Sequence, residues 1–259
     1  MFGLKTRKPS ELEPEVELSA STDGRLIYAI GDIHGRLDLL EALLRKVAKD
    51  AGAARVRQRP VLVFLGDYVD RGPSSKGVID CIMRLSAVKS LEVRSLKGNH
   101  EQAMLDFLDD PEFGPTWVQY GGGPTLTSYG VTAPQGRQPE AWIAARDALA
   151  QAVPAHHLRF LTQLELSAQY GDYFFVHAGL RPGVPIEAQT EQDMLWIRDE
   201  FLDERRPFDK VVVHGHSPEA EPVMNAVRIG LDTGAYATGV LTAARLFDRE
   251  RGLIQTQKA

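Results

Sequence analysis

A short apolar run that ends in a polar, glycine-flanked turn is the feature that most constrains how this chain can fold. Residues 61–65 read Val-Leu-Val-Phe-Leu, and Gly66 follows them directly. Such a run is typical of a strand covered on both faces of a sheet. Asp67 and Asp70 come next, at the carboxyl end of the predicted strand, where open α/β sheets bind their ligands. Taken alone, Gly-Asp and Arg-Gly would equally suit a solvated turn.

The same order of strand, polar turn and helix occurs three times in the first part of the chain. Strands are predicted at 25–30 and 91–96 as well, followed by Gly-Asp-Ile-His-Gly at 31–35 and Lys-Gly-Asn-His-Glu at 97–101. Apolar residues at helical spacing follow each turn, and the third helix is expected to begin around Gln102. Connections this short imply parallel strands whose carboxyl ends lie together. The three turns are therefore expected to converge.

Further strands in the second half of the chain end in histidine. Residues 173–176 run into His177, and residues 210–213 run into a His-Gly-His sequence that ends at His216. β-Branched residues near 223–231 and 239–247, separated by Gly, Asn and Asp, predict that strands there complete a second sheet.

Two segments fall outside this alternation. Residues 102–163 combine helical periodicity with a glycine run, and we interpret them as a helical insertion over the site. Residues 1–24 pass from basic to acidic and are rich in Pro, Ser and Glu, which predicts a flexible leader. A single catalytic domain is then expected over residues 25–259.

Composition limits the class of protein. Of the 259 residues, 43% are hydrophobic and 25% charged, as in ordinary globular proteins, and a net charge of −5 argues against general nucleic-acid binding. No window approaches the ~18 consecutive apolar residues of a membrane span, so we expect a cytoplasmic protein without a membrane partner, and a monomer. The single cysteine, Cys81, lies in an apolar helical pattern and is expected to pack in the core.

The strand ends together carry a set of metal-ligand residues. They are all oxygen or imidazole donors, without a thiolate: Asp32, His34, Asp67, Asn99, His177 and His216. Such donors suit Mn²⁺, Fe, Zn²⁺ or Co²⁺ better than copper, and six are more than one ion requires. Asp32 and His34 can hold one ion jointly because alternate residues of a strand point the same way, and Asp67 could bridge two ions. The pattern predicts a two-metal site whose shared hydroxide attacks a phosphoryl group.

These turns resemble the signature motifs of the phosphoprotein phosphatase branch of the calcineurin-like metallophosphoesterases. The motifs are Gly-Asp-Ile-His-Gly, Gly-Asp-Tyr-Val-Asp-Arg-Gly and Gly-Asn-His-Glu, joined by His-Ala-Gly-Leu at 177–180 and Gly-His-Ser-Pro at 215–218. The resemblance covers roughly residues 26–247 and is greatest to compact bacterial serine/threonine phosphatases. It implies an α/β fold in which a two-sheet β-sandwich is flanked by helices.

The resemblance also implies a role for each residue of the motifs. One metal would be held by Asp32, His34 and Asp67, and the other by Asp67, Asn99, His177 and His216. His100 matches the family's general acid, and Asp70 the carboxylate that orients it. Arg71 and Asn99 would bind the substrate, and Arg198 is the candidate for a second phosphate-binding arginine.

One further position indicates the branch of the family, and three histidines have no assigned role in the site. Many calcineurin-like enzymes carry a further metal-binding histidine where this chain has Pro218, which favours a phosphatase over a nuclease or phosphodiesterase. His214 is expected to pack beside the site, and His156 and His157 to be solvent-facing or structural.

The predicted activity is hydrolysis of phosphoserine or phosphothreonine in proteins by a metal-dependent phosphomonoesterase. Two divalent ions are expected, Mn²⁺ foremost, with Fe, Zn²⁺, Co²⁺ or Ni²⁺ as alternatives. Symmetrical diadenosine tetraphosphate hydrolases share the motifs, so a dinucleotide polyphosphate is the alternative substrate; both present the same phosphoryl group. An inactive scaffold is a remote third hypothesis, because the ligand set and His100 are complete.

Overall fold

The computed structural model of the protein describes residues 20–54 and 56–257, which form two five-stranded sheets and the helices around them. The strands are β1 Leu26–Ile30, β2 Val61–Phe64, β3 Glu92–Ser95, β4 Ser167–Tyr170, β5 Tyr173–Val176, β6 Val211–His214, β7 Val223–Met224, β8 Arg228–Gly230, β9 Thr242–Phe247 and β10 Glu250–Gln255. The α-helices are α1 Leu37–Ala53, α2 Ser75–Ser86, α3 Asn99–Asp109, α4 Gly114–Trp117, α5 Gly123–Ser128, α6 Pro139–Ala152, α7 Ala155–Thr162, α8 Glu191–Trp196, α9 Asp199–Leu202 and α10 Ala235–Thr238.

The first sheet has the strand order β10-β9-β1-β2-β3. β1, β2 and β3 are parallel and in level register, so Ile30 is opposite Phe64 and Phe64 is opposite Ser95. The polar turns that follow these strands therefore begin side by side, as the short connections predicted.

The prediction that residues 239–247 belong to the second sheet is wrong. β9 pairs antiparallel with β1 in the first sheet, and β10, which the sequence did not indicate, covers the outer edge of β9. β-Branched composition identifies a strand but not its partner, and the half-exposed β10 has no apolar alternation to reveal it.

The second sheet has the order β4-β5-β6-β8-β7, with β5, β6 and β8 parallel. The strand predicted near 223–231 is in fact a hairpin of β7 and β8, which pair antiparallel on either side of a turn at Asn225. His177 and His216 thus follow neighbouring parallel strands of this sheet, and they reach the same end of the sandwich as the turns of the first sheet.

Alternation along β1 shows how the core is divided. Ile27 and Ala29 point into the layer between the two sheets, whereas Leu26, Tyr28 and Ile30 pack with the helices on the other face. All five are buried, which explains why this strand is apolar without interruption. Cys81 lies in the helical layer and is buried, as predicted.

The predicted segments 102–163 and 1–24 have different boundaries in the structure. α3 begins at Asn99, three residues before the expected start, because the Glu101 carboxylate accepts the Gly98 N–H at 2.9 Å and caps the helix. Helices α3 to α7 then occupy most of the chain up to Thr162. Residues 1–19 lie outside the described residues. Thr22, within the segment predicted as a leader, is buried, and its backbone N–H donates to the Asp248 carbonyl at 3.0 Å.

Among residues 20–54 and 56–257, none of the helices has both the length and the apolar character needed to cross a bilayer.

Candidate active site

The turns after β1 and β2 are joined through their backbones. The Asp67 carbonyl accepts N–H bonds from Ile33 at 3.1 Å and from His34 at 2.8 Å. Where the turns cross, a Cβ atom on Gly72 would lie 2.1 Å from the His34 carbonyl oxygen, so only glycine allows this approach. The two turns consequently hold their functional side chains as one unit.

The backbone of these turns is in a sparsely populated conformation. Five of the seven described non-glycine residues with positive φ lie at the strand ends: His34, Asp67, Asp70, Arg71 and His216. A left-handed conformation is unfavourable for such residues and persists only where the surroundings enforce it. The strain therefore concentrates where the polar side chains converge.

Glu101 helps to hold the turn after β2 in this conformation, although the sequence analysis gave it no role. It is fully buried, and its carboxylate accepts the N–H groups of Asp67 at 2.8 Å, Tyr68 at 2.7 Å and Val69 at 3.2 Å, besides that of Gly98. Burial and the nearby Asp67 charge raise its pKa, whereas the four donors favour the ionised form. The available sequence signal was a glutamate three residues after Gly98, the spacing of a helix capping box.

A first group of ligand atoms surrounds one oxygen of Asp67. His34 Nε2 lies 3.4 Å and His100 Nε2 3.9 Å from Asp67 Oδ2. His34 Nδ1 donates to the Val69 carbonyl at 2.9 Å, which leaves a lone pair on Nε2 facing the carboxylate. Burial lowers the pKa of His34 to about 3, so its ring is neutral, the form that binds metals.

A second group surrounds the other oxygen of Asp67. His177 Nε2 lies 3.4 Å from Asp67 Oδ1, and Asn99 Oδ1 lies 2.9 Å from both His177 Nε2 and His216 Nδ1. His177 Nδ1 donates to the Leu65 carbonyl at 2.8 Å, and its neutral ring therefore presents a lone pair to these oxygens. His216 Nε2 is buried without any hydrogen-bond partner. The lone pair of His177 Nε2 thus faces the Asp67 and Asn99 oxygens with no proton between them, and a divalent cation fits this arrangement.

Asp32 belongs to neither group of mutually close ligand atoms. It is buried beside them, and both of its oxygens lie 3.1 Å from the backbone nitrogen of His216. Burial and the charges of Asp232 and Asp67 raise the pKa of Asp32. Asp232, itself buried, follows β8. The sequence analysis gave it no role, although it directly follows the strand predicted near 223–231.

His100, a member of the first group, also forms a close pair with Asp70. His100 Nδ1 lies 2.7 Å from Asp70 Oδ2. Although burial acts against it, the carboxylates of Asp67 and Asp70 raise the pKa of His100. Asp70 also accepts the indole N–H of Trp117 at 2.8 Å and the Thr125 hydroxyl at 2.6 Å. Both donors come from the helical segment 102–163, which therefore helps to hold Asp70 against His100. No pattern in the sequence indicated that these two residues contact Asp70.

Arg71 lies over the first group. Its Nη1 is 3.0 Å from His34 Nε2 and its Nη2 is 3.1 Å from His100 Nε2. Its guanidinium carbon lies 4.7 Å from the centre of the Tyr236 ring. Tyr236, in α10, is a further neighbour of the site that the sequence did not indicate.

A cleft of about 890 Å³ opens beside these groups. Arg71, Asn99, His100 and Arg198 line it, together with the aromatic residues Tyr120 and Trp196. The structure therefore brings Arg198 to the same cleft as Arg71. His214, in contrast, is buried against Phe201 and lies 2.9 Å, through Nδ1, from the Gly215 carbonyl, as expected for a packing residue.

A family model for calcineurin-like phosphoesterases matches residues 25–239. The chain belongs to this family.

Curated relatives within the calcineurin-like phosphoesterases carry two different names. Serine/threonine-protein phosphatase 1 of Salmonella typhimurium is 28% identical over 92% of this chain and 99% of its own length. The asymmetrical bis(5'-nucleosyl)-tetraphosphatase PrpE of Bacillus subtilis is 26% identical over 83% of this chain and 88% of its own.

Solved structures of the family have the same fold. A crystal structure provisionally assigned as a diadenosine tetraphosphatase matches 93% of this chain and all of its own, with a TM-score of 0.62 and 23% identity. A serine/threonine phosphatase from Saccharomyces cerevisiae matches 91% of this chain and 81% of its own, with a TM-score of 0.54 and 15% identity. The predicted architecture of two sheets flanked by helices is confirmed.

Proposed function

We propose that this calcineurin-like phosphoesterase is a metal-dependent phosphomonoesterase that hydrolyses phosphoserine and phosphothreonine in proteins. The observation that carries the proposal is the pairing of His100 with Asp70 at the place where two groups of ligand-type side chains share Asp67. A proton donor, a shared carboxylate and an arginine then meet at one edge of the cleft.

Two divalent ions, Mn²⁺ foremost, would be held by the six predicted ligands, with Asp67 between them. When bound, such ions supply an activated water molecule and polarise the phosphoryl group. The ligands are Asp32, His34, Asp67, Asn99, His177 and His216. All six are buried.

His100 would act at the leaving group. A seryl alkoxide leaves poorly and needs a proton as the P–O bond breaks, and a histidine oriented through Nδ1 can deliver one from Nε2. The carboxylates that raise its pKa keep the protonated form available near neutral pH. Asp70, itself fixed by Trp117 and Thr125, would hold the ring in place.

Arg71 would bind two phosphate oxygens through its planar fork of donors. Its two terminal nitrogens lie 3.0 Å from His34 Nε2 and 3.1 Å from His100 Nε2, at the wall of the cleft in which a phosphate would bind. Arg198, which lines the same cleft, would supply a second positive charge, and the amide of Asn99 a further hydrogen bond.

Hydrolysis of a dinucleotide polyphosphate is the second candidate, and one observation favours it. Tyr120 and Trp196 line the cleft with 63% and 42% of their surfaces exposed, and exposed aromatic rings can stack on nucleobases. The PrpE relatives named as tetraphosphatases support the same candidate.

The test compares two substrates on protein stripped with chelator and then reloaded with Mn²⁺. We expect no activity in excess chelator, recovery with Mn²⁺, and higher kcat/KM on a phosphoserine peptide than on diadenosine tetraphosphate. The reverse order of kcat/KM would favour the nucleotide substrate. Full activity in chelator would refute the metal-dependent mechanism for both.

A further inference from the structure

We propose that Asp80, His156 and His157 form a second metal site, separate from the active centre, that binds one zinc-like divalent transition metal ion. Asp80 lies on α2, and the two histidines lie on the first turn of α7. One ligand atom from each of the three lies within 4.8 Å of the others. None of them belongs to the groups around Asp67, so the active centre does not account for this cluster.

His157 is held in place as a metal ligand would be. Its side chain is fully buried, Nδ1 lies 2.9 Å from the Tyr129 hydroxyl, and Nε2 lies 2.9 Å from Asp80 Oδ1. Burial lowers its pKa, which favours the neutral ring. When a metal replaces the proton on Nε2, Nδ1 can donate to the tyrosine oxygen, the kind of partner that orients metal-binding histidines.

Asp80 and His156 leave the cluster open to solvent. The Asp80 side chain is 39% exposed, and His156 is exposed, with its ring 4.6 Å from that of His157 and perpendicular to it. An ion can therefore enter from the surface and retain a water molecule. Two imidazoles, one carboxylate and a water form a common set of zinc ligands.

Lys76 provides a way to distinguish a metal site from a purely structural histidine. It lies one turn before Asp80 on α2, is exposed, and its charge contributes to lowering the pKa of His157. The same charge opposes a bound cation. Removal of that charge should strengthen metal binding, whereas it should not matter to a histidine that only joins Tyr129 and Asp80.

Binding of the ion would hold α7 against α2. α2 continues from the turn that carries Arg71, whereas α7 closes the helical segment that supplies Trp117 and Thr125 to Asp70. An ion shared by the two helices would fasten this segment to the sheet framework. We therefore expect the ion to affect thermal stability and to leave the chemistry at Asp67 unchanged.

The first test counts bound metal. Full-length protein is stripped with chelator, incubated with excess Zn²⁺, desalted and analysed by mass spectrometry. Asp80→Asn and His156→Gln are expected to retain one equivalent fewer than the wild type. Leu158→Ala, which changes an exposed α7 residue that cannot ligate, should retain the wild-type number. Circular dichroism checks that the variants are folded.

The second test measures melting temperature on protein whose active centre is saturated with Mn²⁺. Added Zn²⁺ should raise the Tm of the wild type by a few degrees and leave that of His156→Gln unchanged. Lys76→Gln should bind zinc several-fold more tightly than the wild type. Equal zinc content in the wild type, Asp80→Asn and His156→Gln would overturn the proposal, and His157 would then only join two helices.

Discussion

The Arg71 guanidinium stacks on the ring of Tyr236, with 4.7 Å between the guanidinium carbon and the ring centre. The same ring meets the His34 ring edge-on at 5.4 Å. Tyr236 is 40% exposed, so the core does not require it. Its contacts instead restrict Arg71 to the space above the first ligand group.

Replacement of Tyr236 by leucine should therefore weaken substrate binding. A cation–π contact contributes about 0.5–2 kcal/mol, so kcat/KM should fall about 2- to 30-fold, mainly through KM. Tyr236→Phe keeps the ring and should retain wild-type kinetics. Steady-state kinetics on a phosphopeptide checks both variants, and an unchanged KM in Tyr236→Leu would contradict the role.

Arg71→Lys should not rescue the function of Arg71, because lysine offers a point charge where the guanidinium holds two oxygens at once. Loss of one charge-assisted hydrogen bond costs about 1.5–3 kcal/mol, or about 10- to 160-fold in kcat/KM. Metal content should stay at the wild-type level. Wild-type kinetics in this variant would remove Arg71 from the substrate site.

His100→Asn should slow the enzyme in a way that depends on the leaving group. On a phosphoserine peptide we expect a loss of about 10²–10⁴-fold, the usual contribution of a general acid. On nitrophenyl phosphate, whose leaving group needs no proton, the loss should be clearly smaller. Equal losses on both substrates at full metal occupancy would show that His100 does not donate the proton.

Asp67→Asn should lower the content of bound metal more than substitution of any other ligand does. Its two carboxylate oxygens face different histidine groups, so both ions lose a charged ligand. His216→Asn is the matched variant and should reduce occupancy of one ion only. Metal analysis after desalting distinguishes the two, and full occupancy in Asp67→Asn would refute the bridging role.

Glu101→Gln should lower stability because its amide nitrogen would face backbone N–H donors instead of accepting from them. Breakage of this buried network should cost about 2–3 kcal/mol of unfolding free energy. Glu187→Gln, a change at an exposed glutamate, should cost almost nothing. Urea denaturation of both variants provides the measurement, and equal midpoints would show that the four N–H bonds of Glu101 are not needed.

The residues of the site that could be predicted are those that directly follow a predicted strand in the sequence. The turns after β1, β2 and β3 follow directly from short strands that must be parallel, so the amino-acid sequence alone places Asp67, Asn99 and His100 together. It does not place β9 beside β1, because no local pattern selects a partner strand. Trp117, Thr125 and Tyr236 escape prediction for a related reason: each reaches the site from a distant part of the chain through packing alone.

The contact between Gly72 and the His34 carbonyl has a consequence for engineering. Any side chain at position 72 would push the turn at 31–35 away from the turn at 66–72, although neither Gly72 nor its neighbour Pro73 carries a functional group. The two turns should therefore be exchanged between relatives only together. Chimeras with a relative that exchange only one of them should recover neither metal binding nor phosphate binding, whereas exchange of both together preserves the crossing that the missing Cβ permits.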